Sequence, residues 1–93
     1  MKMPLFAVIC RDKPGHIETR KANREAHLAY VDQTGVVTLA GPFLDNDGVM
    51  CGSLVVLDVA DHAAAQAWAA GDPYAGAGLF ESVTIQAWKK VIG

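Results

Sequence analysis

The feature that most constrains this chain is a strand-like segment without a polar side, Leu5-Phe-Ala-Val-Ile-Cys10. Successive side chains of a strand point to opposite faces, so Phe6 and Val8 fall on one side and Leu5, Ala7 and Ile9 on the other. Ser53-Leu-Val-Val-Leu57 repeats the situation, with Val55 and Leu57 opposite Leu54 and Val56. An antiparallel sheet with one face in water alternates apolar with polar residues, and these segments do not. Both are therefore expected at the centre of a sheet covered on its two faces.

The rest of the chain sets the element order. Residues 4–11 read as strand 1, broken by Asp12-Lys13-Pro14-Gly15. Residues 16–33 lack Gly and Pro and are rich in helix formers, which predicts helix 1, with Gly35 as its stop. Strand 2 is predicted over 36–41, hairpin-turn chemistry over 42–48 and strand 3 over 49–59. Asp61 is a natural cap for an Ala-rich helix 2 running to about Ala70, which Gly71-Asp72-Pro73-Tyr74 ends. Strand 4 follows at about residues 81–88. The order βαββαβ is the split pattern of a ferredoxin-like α+β domain, a four-stranded antiparallel sheet with two helices on one face. Residues 1–93 are expected as a single domain. Two helices leave one face of the sheet bare, and hydrophobic residues make up 52% of only 93. A face-to-face homodimer through the sheet is the economical way to cover that surface.

Charge and hydropathy exclude several partners. A formal net charge of −2 with mixed signs gives no polycationic footprint, so nucleic acid is not expected. No stretch approaches the roughly 20 apolar residues that cross a bilayer, so no membrane association is expected. The apolar run before Arg11 lacks a cleavage pattern, and a cytoplasmic location is expected. Cys10 and Cys51 have neither metal nor redox spacing and read as buried free thiols in strands. His16 and His27 share a helix face but stand roughly 16 Å apart along it, so no metal site is expected. Gly76-x-Gly78 lacks the third glycine and preceding strand of a dinucleotide fingerprint. Trp68 and Trp88 suit core or interface anchors.

Two places remain anomalous. On helix 1, Ile17, Leu28 and Val31 form an apolar face with Arg24 in its middle, His27 on its edge and Arg20 nearly in line with His27. A guanidinium aimed at a core must be paired or must reach along a cleft. It reads either as an anion-orienting Arg beside a titratable His, or as half of a structural ion pair. Asp72, at the exit of helix 2, is either a site carboxylate or an ordinary Asp-Pro turn element. Tyr74 supplies a phenol or simply packs. Ser53 is a small polar group in an apolar strand, without the setting of a nucleophile elbow.

Taken together, Arg24-Glu-Ala-His27-Leu28, Ala40-Gly41-Pro42, Gly52-Ser53, Asp72-Pro73-Tyr74, Gly78-Leu-Phe-Glu-Ser-Val83 and Ile85-Gln-Ala-Trp88-Lys89 resemble the YCII-related family. The resemblance implies a ferredoxin-like fold, dimers of the α+β-barrel kind, and a histidine–aspartate active site that maps onto His27 and Asp72. It also implies reactions of the dehydrochlorinase or muconolactone-isomerase type. Geometry sets a condition. Antiparallel helices leave Asp72 at the opposite pole from His27 unless helix 1 sits high on the sheet or residues 72–79 fold back over it.

The expected function is thus cofactor-independent proton transfer on a small organic substrate, with His27 as acid or base and Asp72 orienting it. Arg24, Arg20, Ser53 and Tyr74 are the candidate substrate-binding residues, with Arg24 holding a substrate oxygen or fixing Asp72. The alternatives are a non-catalytic small-ligand domain using the same pocket, and a buried polar network that only fixes the fold.

Overall fold

A computed structural model describes residues 5–93, so the expected start of strand 1 at residue 4 lies outside the described residues. The elements are β1 (Leu5–Asp12), α1 (Ile17–Thr34), β2 (Val37–Leu44), β3 (Met50–Asp58), α2 (His62–Gly71), α3 (Pro73–Gly76) and β4 (Phe80–Trp88). The strands form one antiparallel sheet in the order β2-β3-β1-β4, the ferredoxin-like arrangement. The two strands with apolar residues on both sides, β1 and β3, are the central pair.

Register assigns the faces. Cross-strand rows Val83–Cys10–Ser53–Pro42, Ile85–Val8–Val55–Ala40 and Ala87–Phe6–Leu57–Val37 lie under the helices. Phe6, Val8, Cys10, Val55 and Leu57 pack there with Ala65 and Trp68 of α2, and with the half-buried Tyr30 and Val31 of α1. The opposite face carries Thr84–Ile9–Leu54–Gly41 and Gln86–Ala7–Val56–Leu39. In these two rows the polar residues stand only on the edge strand β4, and toward the strand ends Arg11 and Asp58 add charge; Leu39 and Trp88 are 46% and 41% exposed.

Several ends follow their predicted chemistry. Gly35 closes α1 in the left-handed conformation at φ 65°, which costs a glycine little. Asp61 caps α2 by accepting the Ala64 N–H at 2.8 Å.

Two ends depart from expectation. β2 continues through Pro42 to Leu44 instead of stopping at Gly41. It is an edge strand, where a residue without an N–H can face away from the ladder. Only then does the chain turn, with Asp45 accepting the Asp47 and Val49 N–H groups. Pro73–Gly76 forms a single helical turn, α3, where an irregular exit was expected. Pro73 stands at its start, where a missing N–H leaves no vacant partner.

Candidate active site

α3 is what assembles the site. Asp72 ends α2, its N–H reaching the Ala69 carbonyl, and simultaneously caps α3 by accepting the Tyr74 N–H on Oδ1 at 3.0 Å. Asp72 thus stands at the exit of α2, as expected, and also at the entrance of α3. Gly78, at φ +72°, then turns the chain, and the Lys13 N–H donates to the Leu79 carbonyl at 2.9 Å. Residues 72–79 are thereby folded back against α1. Of the two conditions under which His27 and Asp72 could meet, this is the one realised.

The pair is in contact. His27 Nδ1 lies 2.8 Å from Asp72 Oδ1, and both residues are buried. A carboxylate beside that nitrogen is an acceptor, so Nδ1 donates to it, and in the neutral ring Nε2 is the nitrogen that carries the lone pair. Nε2 has no partner among the described residues, and no unpartnered side-chain polar atom among them is sealed from solvent. His27 lines a cleft of about 230 Å³, so its free nitrogen faces that space.

Tyr74 organises the neighbours. Its ring stacks on the His27 ring, centroids 4.2 Å apart at 14°. The Arg20 guanidinium lies 4.7 Å from the Tyr74 centroid. The imidazole already fills one face of the phenol ring, so the guanidinium occupies the other. Arg20 and His27 are seven residues apart, about 10.5 Å along a helix, which leaves room for one aromatic ring between them. Burial raises the Tyr74 phenol above its ordinary value, against the lowering effect of Arg20 and Arg24.

Arg20 is anchored from beneath. It gives Asp12 a two-pronged ion pair, Nε to Oδ2 at 2.7 Å and Nη2 to Oδ1 at 2.8 Å, and Nη2 also reaches Ser53 Oγ at 2.9 Å. Burial works against the Arg20 charge, and its bond to Asp12 more than restores it, leaving the guanidinium above its ordinary range. Sequence reasoning missed Asp12, which it treated only as part of a chain break. The signal was present: residues 6, 8, 10 and 12 share one strand face, and a buried arginine needs a carboxylate.

Arg24 takes the second of the two courses expected for it, reaching along a cleft. It stands exposed at the edge of the cleft instead of inside the core, and Leu28 beside it is 44% exposed. The buried stripe of α1 runs through Arg20 and His27 because α3 presents Tyr74 and Asp72 there, and a polar partner draws the polar side of a helix inward. Arg24 makes no bond to Asp72 among the described residues; His27 and the Tyr74 N–H fix that carboxylate.

The cleft therefore joins Arg20, Arg24, His27, Ser53 and Tyr74 with apolar walls from Leu28, Pro42, Met50 and Val55. The described residues contain no group of three His, Cys, Asp or Glu side chains placed to hold a metal ion. What the arrangement offers chemically is one oriented imidazole nitrogen, hydroxyl groups and positive charge around a small space.

Comparison with known proteins returns the same fold and a family. Protein YciI of Escherichia coli is 35% identical over 94% of this chain and 98% of its own length. A Haemophilus influenzae protein is 34% identical over 92% and 97% respectively. Among solved structures, the 5-chloro-2-hydroxyhydroquinone dehydrochlorinase of Burkholderia phenoliruptrix AC1100, in complex with 2,5-dihydroxybenzoquinone, superposes with a TM-score of 0.83. It is 30% identical, over 91% of this chain and 93% of that one. An antibiotic biosynthesis monooxygenase structure, 14% identical with a TM-score of 0.60, covers 97% of this chain and 100% of its own and shares the fold alone. The model of the YCII-related domain matches residues 4–89, and the chain belongs to that family.

Proposed function

We propose that this protein is a cofactor-independent enzyme of the dehydrochlorinase type, in which His27 moves a proton on a small cyclic substrate and Asp72 orients it. The observation that carries the reading is the 2.8 Å contact between His27 Nδ1 and Asp72 Oδ1 at the wall of a cleft. Similarity to a dehydrochlorinase at 30% identity supports the reaction class. In this reading Nε2 removes a proton from a substrate hydroxyl or ring carbon. With a hydroxylated chloroarene, the electron pair left by a hydroxyl proton forms C=O while a proton enters the ring carbon that bears chlorine. Loss of a second hydroxyl proton then forms another C=O, the ring double bonds shift, and the pair of the C–Cl bond departs as chloride. Asp72 stabilises the imidazolium formed, and the Tyr74 ring stacked on His27 restricts its rotation. Arg20 and Ser53 would bind substrate oxygen from the cleft floor. The working unit is proposed to be a homodimer formed through the uncovered sheet face.

Chloride release and deuterium uptake from solvent are the test, with 5-chloro-2-hydroxyhydroquinone as the probe. Wild type is expected to release chloride. His27→Ala is expected to slow release by about 10²–10⁴-fold, the usual worth of a general acid or base, with its circular dichroism unchanged. Full turnover by His27→Ala, or no chloride and no deuterium uptake above buffer from wild type, would overturn the proposal.

A further inference from the structure

Charge around the cleft is unevenly compensated. Arg20 is neutralised by Asp12, and His27 faces Asp72. Arg24 also lines the cleft, yet it makes neither an ion pair nor a hydrogen bond among the described residues, and no Asp or Glu lines the space beside it. Its field nonetheless reaches inward, since it acts on the Tyr74 phenol. The remaining wall, from Leu28, Pro42, Met50 and Val55, is apolar and can only cover a hydrocarbon body. A volume of about 230 Å³ lies below the roughly 300–1,000 Å³ of pockets that take drug-sized ligands. One ring fits it.

We infer that the ligand of this cleft is a single-ring organic anion and that Arg24 is the residue that selects its charge. An uncompensated guanidinium at the rim attracts an ionised oxygen and holds it by charge-assisted hydrogen bonds. The apolar walls then carry the ring inward toward His27. A neutral ring of the same size gains only the apolar contacts. The inference rests on the reading of the cleft as a ligand site and adds the chemical class that the site accepts.

Calorimetric titration at pH 7 with two probes of one size separates these contributions. They are 2,5-dihydroxybenzoquinone, ionised at that pH, and hydroquinone, neutral and kept free of oxygen. Wild type is expected to prefer the anion by about tenfold or more, the worth of one charged hydrogen bond. Arg24→Gln should erase the preference while leaving hydroquinone binding in place, and Arg24→Glu should invert it. The same preference is expected in His27→Gln, since it does not depend on proton transfer. Equal binding of the two probes by wild type, or a preference that survives Arg24→Gln, would overturn the inference and leave the cleft a ligand site. Failure of wild type to bind either probe would remove the ligand site itself, and the selection with it.

Discussion

Burial pushes the Cys10 thiol up to about 12 from an ordinary 9.0, with Asp72 adding to the rise, Arg20 opposing it and Asp12 adding again. Burial also raises the phenols of Tyr74 and Tyr30. All three are neutral acids whose ionised form the fold disfavours. Below the unfolded value both states stay protonated and the full stability is present. Once the pH passes about 9.0, the unfolded thiol ionises while the folded one does not, so stability is lost as the pH climbs toward about 12. Urea unfolding is expected to show this alkaline decline, and a plateau from pH 9 to 12 would contradict it. The same residues explain why the polar cluster stays under the helices. Arg20, Asp12 and Ser53 satisfy one another with bonds of 2.7–2.9 Å. Removing one member of such a buried pair costs about 3–5 kcal/mol, because it strands the other charge.

At the level of elements, β3 couples the site to the sheet. Gly52 sits between its partners Arg11 of β1 and Phe43 of β2. A side-chain carbon there would collide with the Cys10 carbonyl oxygen and come 3.2 Å from the Phe43 ring. Phe43 is itself covered by the Arg11 guanidinium, 4.4 Å from its centroid. Gly52→Ala is therefore expected to force the central strands apart and to lower stability by about 1–3 kcal/mol, the usual cost of overpacking. Denaturant midpoints would measure it, and an unchanged midpoint would mean that the strands yield freely. The neighbouring residue is Ser53, so the same variant should loosen its bond to Arg20. α3 is the corresponding device on the helical side. One turn started by Pro73 and capped by Asp72 carries Tyr74 to its position between His27 and Arg20.

For the whole molecule, the uncovered sheet face is the surface through which the proposed homodimer would form. Ile9 and Leu54 lie side by side near its centre, half-buried, with Leu39 and Trp88 more exposed toward the edges. Apolar surface of this extent is removed from water when a second copy packs against it. Sedimentation is expected to give twice the mass of the chain, and Leu54→Glu to give a monomer by placing a charge in the dry centre of the interface. A wild-type monomer at every accessible concentration would refute the homodimer. No helix among the described residues is long and apolar enough to cross a membrane.

Local chemistry was legible in the residues alone. Leu5 to Cys10 and Ser53 to Leu57 identify the central strands because side-chain alternation is a property of any strand, and Gly35 and Asp61 identify helix ends because capping needs only near neighbours in the chain. The split βαββαβ order follows from these elements, and the fold was readable to that extent. The site was readable only as a set of residue types. His27 and Asp72 are 45 positions apart, and whether they touch depends on a fold-back that the Lys13–Leu79 bond and α3 bring about. Arg20 and Arg24 look alike on a helical wheel. Which one is buried depends on what packs against α1, and that partner comes from distant parts of the chain. The sequence by itself determined the four strands, the two long helices and the two-sided apolar character of the central strands, since those are set within a few residues. Only the tertiary structure decided which charges are paired, because pairing depends on distances between elements that no local pattern contains.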